Sequence, residues 1–256
     1  MTLPEKMTKT FGWRVYGLGV ASLGILGLVQ GDFLSGQEVP SGFPGRTVLA
    51  YVVAVFLIVS GAAIAWRRTT AWAAAVLTAY YAFIAVILMD GSVLLADYKE
   101  YGPYENIAEQ LAITAGGLIV YAASANIDAA RAARLTRLGQ MVFGICALIF
   151  GGAHFAYMNL TAPLVPKWLP LSQEFWAYAT GVGQIAAGFA ILTNVQGRLA
   201  AMLLTAMYIS FIPLVFVSVL LADPSNNFRW SEAVATLALI GAAWVVADSL
   251  VRPSRR

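Results

Sequence analysis

Residues 151–192 read GGAHFAYMNLTAPLVPKWLPLSQEFWAYATGVGQIAAGFAIL. The stretch closes one apolar run, crosses a turn carrying Pro163, Pro166, Trp168 and Pro170, and opens a second apolar run. It holds the single histidine of the chain, His154. The second run is studded with small residues (Gly181, Gly183, Ala186, Ala187, Gly188). Small residues at that density let helix backbones approach closely, and in lipid it is packing of that kind that holds helices together.

Outward from this stretch the pattern repeats. A helix crosses a bilayer with about 20 mostly apolar residues. Eight stretches qualify, at roughly 12–31, 46–66, 70–93, 107–126, 137–158, 174–193, 198–221 and 231–250. The run beginning at Phe11 reads as an uncleaved first helix rather than a signal peptide, since no convincing small-x-small cleavage site follows it. Pro213 lies inside the seventh stretch and is expected to kink it. Of the 256 residues, 60% are hydrophobic and 11% charged. Soluble domains run near 45–50% and about 25%, so the composition agrees with the spans. The expected fold is all-α: a polytopic membrane protein of eight transmembrane helices.

Orientation follows from the basic residues. With the N-terminus inside, Lys6, Lys9, Arg14, Arg67, Arg68, Arg131, Arg134, Arg137, Arg198, Arg252, Arg255 and Arg256 fall on the inner side. Only Arg46, Lys99, Lys167 and Arg229 fall outside. The acids Asp32, Glu38, Asp90, Asp97, Glu100, Glu105, Glu109, Glu174, Asp223 and Glu232 gather at the other side. The positive-inside rule then places both termini in the cytoplasm. The formal charge of +3 is spread singly over span ends, a matter of topology and not of nucleic-acid binding.

The two halves align when the chain is laid on itself with Ala50-Tyr51 over Ala177-Tyr178. In that register Val55 falls on Val182, Ile58 on Ile185, and Gly61-x-Ala63-Ile64 on Gly188-x-Ala190-Ile191. Leu77-Thr78-Ala79 falls on Leu204-Thr205-Ala206, Tyr81 on Tyr208, and Glu105 on Glu232. Residues 1–130 and 131–256 thus read as two four-helix units. An even number of spans per copy makes them parallel repeats, related by a pseudo-twofold along the membrane normal. Two four-helix bundles side by side are expected.

Gly152-x-His154-Phe155, then Val165-Pro166-x-Trp168-Leu169-Pro170, then Gly181 and Gly188 with the tail to Leu192, carry a resemblance. The second half resembles the DoxX family of bacterial and archaeal membrane proteins, itself a four-helix unit; the first half follows weakly through the duplication. The resemblance implies a multi-pass protein of a bacterial or archaeal cell membrane, accessory to a quinone-linked or other redox system. A DoxX-like subunit belongs to an archaeal thiosulfate:quinone oxidoreductase, so quinone is the ligand it implies and a membrane redox subunit the partner. Distant relatives include a eukaryotic cargo receptor, which leaves a small-molecule or lipid carrier, or a scaffold, as alternatives. Many members carry a glutamate where this chain has Gln184, a departure that counts against any proton- or ion-coupled role.

The ligand-binding candidates are His154, Trp168, Tyr178, Gln184, Tyr208 and Glu232. His154 is expected near the outer interface, as a proton relay, a hydrogen-bond donor to a quinone carbonyl, a ligand for a metal or haem, or an interfacial histidine bonded to neighbouring backbone or glutamine. Val165–Pro170 reads as an outer surface or re-entrant segment anchored by Trp168 and Lys167, either a cap over a pocket between the fifth, sixth and seventh helices or a simple structural turn. Gln184, Tyr178, Tyr208 and Ser210 are polar groups in apolar spans and are expected to face the interior. Glu109 and Glu232 are expected to begin the fourth and eighth helices, where an acid suits the helix dipole; Glu232 beside Arg229 and His154 is the sharper alternative. Asp90 and Asp248 are expected to be solvated at span ends. No catalytic set and no metal site is expected: one cysteine, Cys146, and one histidine build neither a zinc site nor a bis-histidine haem.

Overall fold

The computed structural model describes residues 11–34, 36–37 and 39–250. Lys6, Lys9, Glu38, Arg252, Arg255 and Arg256, which enter the charge argument, lie outside the described residues. Among the described residues eight helices are long and apolar enough to cross a membrane. They are α1 Gly12–Gln30, α2 Arg46–Ala65, α3 Thr70–Ala96, α4 Gly102–Ser124, α5 Ala129–Ala156, α6 Gln173–Thr193, α7 Gly197–Ala222 and α8 Asn227–Ser249. Among the described residues there is no strand.

Helices α4, α5 and α8 begin several residues ahead of their apolar runs, because polar residues start them. Asp128 accepts from the Arg131 N–H at 2.8 Å and opens α5. Asn226 accepts from the Arg229 N–H at 3.1 Å and opens α8. Pro103 sits in the first turn of α4, where its missing N–H costs nothing. Ser172 caps α6 in the same way, accepting from Phe175 at 3.1 Å. Hydropathy is blind to such openings.

Each helix packs on its chain neighbour, α1 also packs on α8, and α4 on α8, so the ring of eight closes around a centre held by α4 and α8. Those two carry the most buried spans, with fully packed alanines (Ala108, Ala112 and Ala115 on one; Ala238, Ala242 and Ala243 on the other). Alanine and glycine dominate because every additional methyl group would hold the backbones apart. A Cβ on Gly19 would lie 2.6 Å from the Ala238 Cα. One on Gly17 would lie 2.6 Å from the Gly61 carbonyl oxygen, and one on Gly188 2.7 Å from the Gly144 carbonyl oxygen. Gly17 is the repeat equivalent of Gly144, and Gly61 of Gly188, so the α1–α2 and α5–α6 crossings are built from matching contacts. Gly24 against Ala54 and Gly151 against Gly181 repeat the match.

The Gly12 N–H donates to Asp248 Oδ2 at 3.3 Å, and Gln140 Nε2 donates to Ser249 Oγ at 3.0 Å. The start of α1, the first turns of α5 and the end of α8 therefore share one face, called here the terminal face. Asp248 is half-buried in this bond rather than free in solvent. The flanks of the ring expose large apolar side chains such as Leu18, Val59, Trp72, Phe83 and Leu203. Such a girdle suits lipid, not water.

Pro213 enters the structure as part of a π-helical stretch, Ile212–Phe216. Without an N–H, proline cannot continue the i→i−4 ladder, and the wider turn absorbs the fault. A second π-helical stretch, Tyr80–Asp90, lies in α3, which has no proline. In the repeat register, with Tyr81 on Tyr208, it overlies the region of α7 that holds the first.

Candidate functional site

The six sequence candidates do not converge. His154 sits in the last turn of α5, with Nδ1 3.0 Å from the Phe150 carbonyl oxygen and its Cβ against Gly181 of α6. Bonding to its own helix in this way is the backbone-satisfied alternative. Tyr178 turns outward, 47% exposed, its ring 5.4 Å from that of Phe155. This corrects the expectation that it faces the interior: a tyrosine near a span end satisfies its hydroxyl at the interface without burial. Trp168 is 72% exposed on the surface segment between α5 and α6, while Trp176 Nε1 ties that segment down by donating to the Pro170 carbonyl at 2.7 Å. Ser210 bonds back to Met207 of its own helix at 2.7 Å.

Gln184 and Tyr208 are buried, as expected. Gln184 Oε1 and Tyr208 Oη have no hydrogen-bond partner among the described residues. Cys146, also buried, is a core residue near Tyr208.

Glu232 belongs elsewhere, at the face opposite the termini. There it lies in electrostatic reach of Glu105 and Glu109 of α4, and Asp90 of α3 acts on Glu109 as well. Arg229, one turn before Glu232 on α8, supplies a positive charge on one side. Carboxyl groups of three helices, α3, α4 and α8, thus act on one another electrostatically through Glu109. Two sequence expectations give way here. Asp90 is 1% exposed, not solvated, because α3 continues past it to Ala96. Glu109 is not a first-turn residue, because α4 begins at Gly102; the first-turn acid is Glu105. Glu232 likewise lies beyond the first turn of α8, which Asn226 caps.

The connection between α1 and α2 folds over this cluster. Leu34, Gly36 and Gln37 are buried. Gln110 Nε2 donates to the Gly36 carbonyl at 2.9 Å, and Gly36 holds φ +87°, a conformation that favours glycine. A side chain there would come within 3.7 Å of Glu109 Oε1. At the rim, Asp32 pairs with Arg46 at 2.8 Å, and the Arg46 guanidinium lies 5.4 Å from the Phe33 ring centre. Partial burial alone would push the Asp32 carboxyl up. The Arg46 bond, the Phe33 N–H and the Arg46 charge outweigh it and hold the group below its ordinary value of 3.8.

Beneath the connection lies a cavity of about 10 Å³, whose polar lining comes from Gln37, Tyr81, Glu109, Gln110 and Ser231. Tyr81 and Gln110 are almost wholly buried, and Tyr81 Oη and Gln110 Oε1 have no hydrogen-bond partner among the described residues. Sequence reasoning passes over this place because Tyr81 enters it only as the match of Tyr208. A signal is nevertheless there: Gln110 stands beside Glu109, two strongly polar residues inside an apolar run. Among the described residues no group of three histidine, cysteine or acidic side chains is arranged to hold a metal ion. What the arrangement offers is hydrogen bonding and negative charge.

A family described as "Domain of unknown function (DUF8561)" matches residues 143–247, the four C-terminal helices from within α5 to near the end of α8. No curated protein matches the chain, and no solved structure does.

Proposed function

We propose that the protein is a DoxX-like accessory subunit of a quinone-linked or other membrane redox system, and that its working site is the carboxyl cluster of α3, α4 and α8. The observation that supports this reading is a set of acids, buried Asp90 and half-buried Glu105, Glu109 and Glu232, that act on one another through Glu109 among mostly apolar helices. Ionisable groups within spans are expensive to keep, face protein or water, and mark sites of binding or transfer. The cluster draws Glu105 and Glu232, equivalent positions of the repeat, from the two halves. Residues 1–130 and 131–256 are read as parallel copies of one four-helix unit, with the terminal face in the cytoplasm. The acids then lie toward the outer face, where a reduced quinone or similar ligand would present hydroxyl groups to them. Electron transfer belongs to a partner subunit.

The test is quinone-dependent turnover in membranes that contain the assembled system. Glu109→Gln and Glu232→Gln are expected to lower it by roughly tenfold each, the factor that about 1.4 kcal/mol of lost interaction produces. His154→Ala and Trp168→Ala are expected to leave it near wild type. Full turnover in both glutamate variants would refute the assignment. Substrate flux in proteoliposomes without any redox partner would replace it with the carrier alternative.

A further inference from the structure

Two residues that line one small cavity, Tyr81 and Gln110, each carry an orphaned polar atom. Gln110 spends an amide N–H on the Gly36 carbonyl, which leaves Oε1 as an unused acceptor. Tyr81 Oη keeps a proton to donate and finds no acceptor among the described residues. Glu109 adds a carboxyl at the same wall, whereas the Ser231 hydroxyl is already donating to the Asn227 carbonyl at 3.0 Å. An unmade hydrogen bond in a buried place costs about 1–3 kcal/mol per group. Two such groups on residues that line one void point to an occupant. The void, about 10 Å³, is of the size that holds a water molecule.

We propose that this cavity is a binding site for a single water molecule that accepts from Tyr81 Oη and donates to Gln110 Oε1 and to the Glu109 carboxyl. Donors and acceptors then balance. The water uses one lone pair for the phenol and both of its protons for the two remaining acceptors, the usual three bonds of a buried water. The inference rests on the reading of the carboxyl cluster only in giving the water a purpose. Tied through it to Tyr81 of α3 and Gln110 of α4, the Glu109 carboxyl is held in one orientation toward Glu105, Glu232 and Asp90. Tyr81 and Gln110 are thereby positioning residues. The second half offers no equal site: in the repeat register Thr236 and Leu237 stand where the first half has Glu109 and Gln110.

A high-resolution structure of the whole protein in lipid nanodiscs tests this without any substitution. Density is expected for one water within about 3.2 Å of Tyr81 Oη, Gln110 Oε1 and a Glu109 oxygen. An empty cavity, or an ion with contacts of about 2.4 Å, overturns the proposal. Infrared spectra give a second readout. An internal O–H band that shifts in water labelled with oxygen-18 is expected to move in Tyr81→Phe, together with the carboxyl band that Glu109→Gln removes. Unchanged bands in Tyr81→Phe overturn it. So does a thermal midpoint that rises when sodium replaces choline, since the site would then hold a cation. A water present in all these tests while Glu109→Gln turns over normally would sink the functional assignment and leave the water site standing.

Discussion

Tyr16 is fully buried on α1, and its hydroxyl reaches across to the Ile113 carbonyl of α4 at 2.7 Å. Its repeat equivalent is Phe143, just as buried, which shows that the shape fits without the hydroxyl. Tyr16→Phe is therefore expected to cost only the net value of one hydrogen bond, about 0.5–1.5 kcal/mol, read as a lower thermal midpoint with the fold intact. Asp32 gives a pH test. Its carboxyl is held below the ordinary value, so the Arg46 pair stabilises the protein above that value and the contribution disappears as pH falls through the folded one. Asp32→Asn should lower the unfolding midpoint at neutral pH, and the gap should close in acid well below 3.8 and narrow in high salt. At this scale the sequence is least transparent. It places Gln184 and Tyr208 correctly in the interior. It misjudges Glu109 and Asp90, since their burial depends on where α4 starts, where α3 stops and how the segment around Gly36 folds over them.

Helix crossings are where single methyl groups decide stability. Gly61 faces the Gly17 backbone and Gly241 faces Tyr16, with Tyr16 N only 2.5 Å from where a Cβ would stand at Gly241. Backbone cannot swing aside, so Gly61→Ala and Gly241→Ala are each expected to force helices apart at about 1–3 kcal/mol. Gly183→Ala is the control. Its nearest neighbour is Met207 Sδ at 3.8 Å, an ordinary contact, and alanine favours the helix, so the midpoint should stay or rise slightly. Differential scanning fluorimetry in detergent separates the three. Helix existence is legible from hydropathy alone, but helix starts are not, because Asp128, Asn226 and Pro103 are polar or helix-breaking residues that act at a terminus. The π-helical stretch in α3 has no signal at all: it contains neither proline nor glycine.

For the whole molecule, the even number of spans puts both ends of the described chain on one face, and the Gly12–Asp248 bond shows them touching there. Single cysteines at exposed positions of the two faces, for instance Arg68→Cys and Tyr98→Cys in a Cys146→Ala background, should react with impermeant reagents from opposite sides of sealed vesicles. Labelling of both from one side would contradict the transmembrane arrangement. The architecture is the most readable level, because a run of eight apolar stretches is a long-range regularity that no local uncertainty blurs. What it does not reveal is how intimately the halves join. Packing of α4 on α5 and of α1 on α8 crosses the midpoint of the chain, and α4 and α8 meet at the centre. Severed between Ser124 and Ala129, neither fragment would keep its own interior shut: each would bare an alanine-lined wall shaped for the other. Separately made, the pieces should be degraded; made together, they should find each other and restore a working protein by complementation.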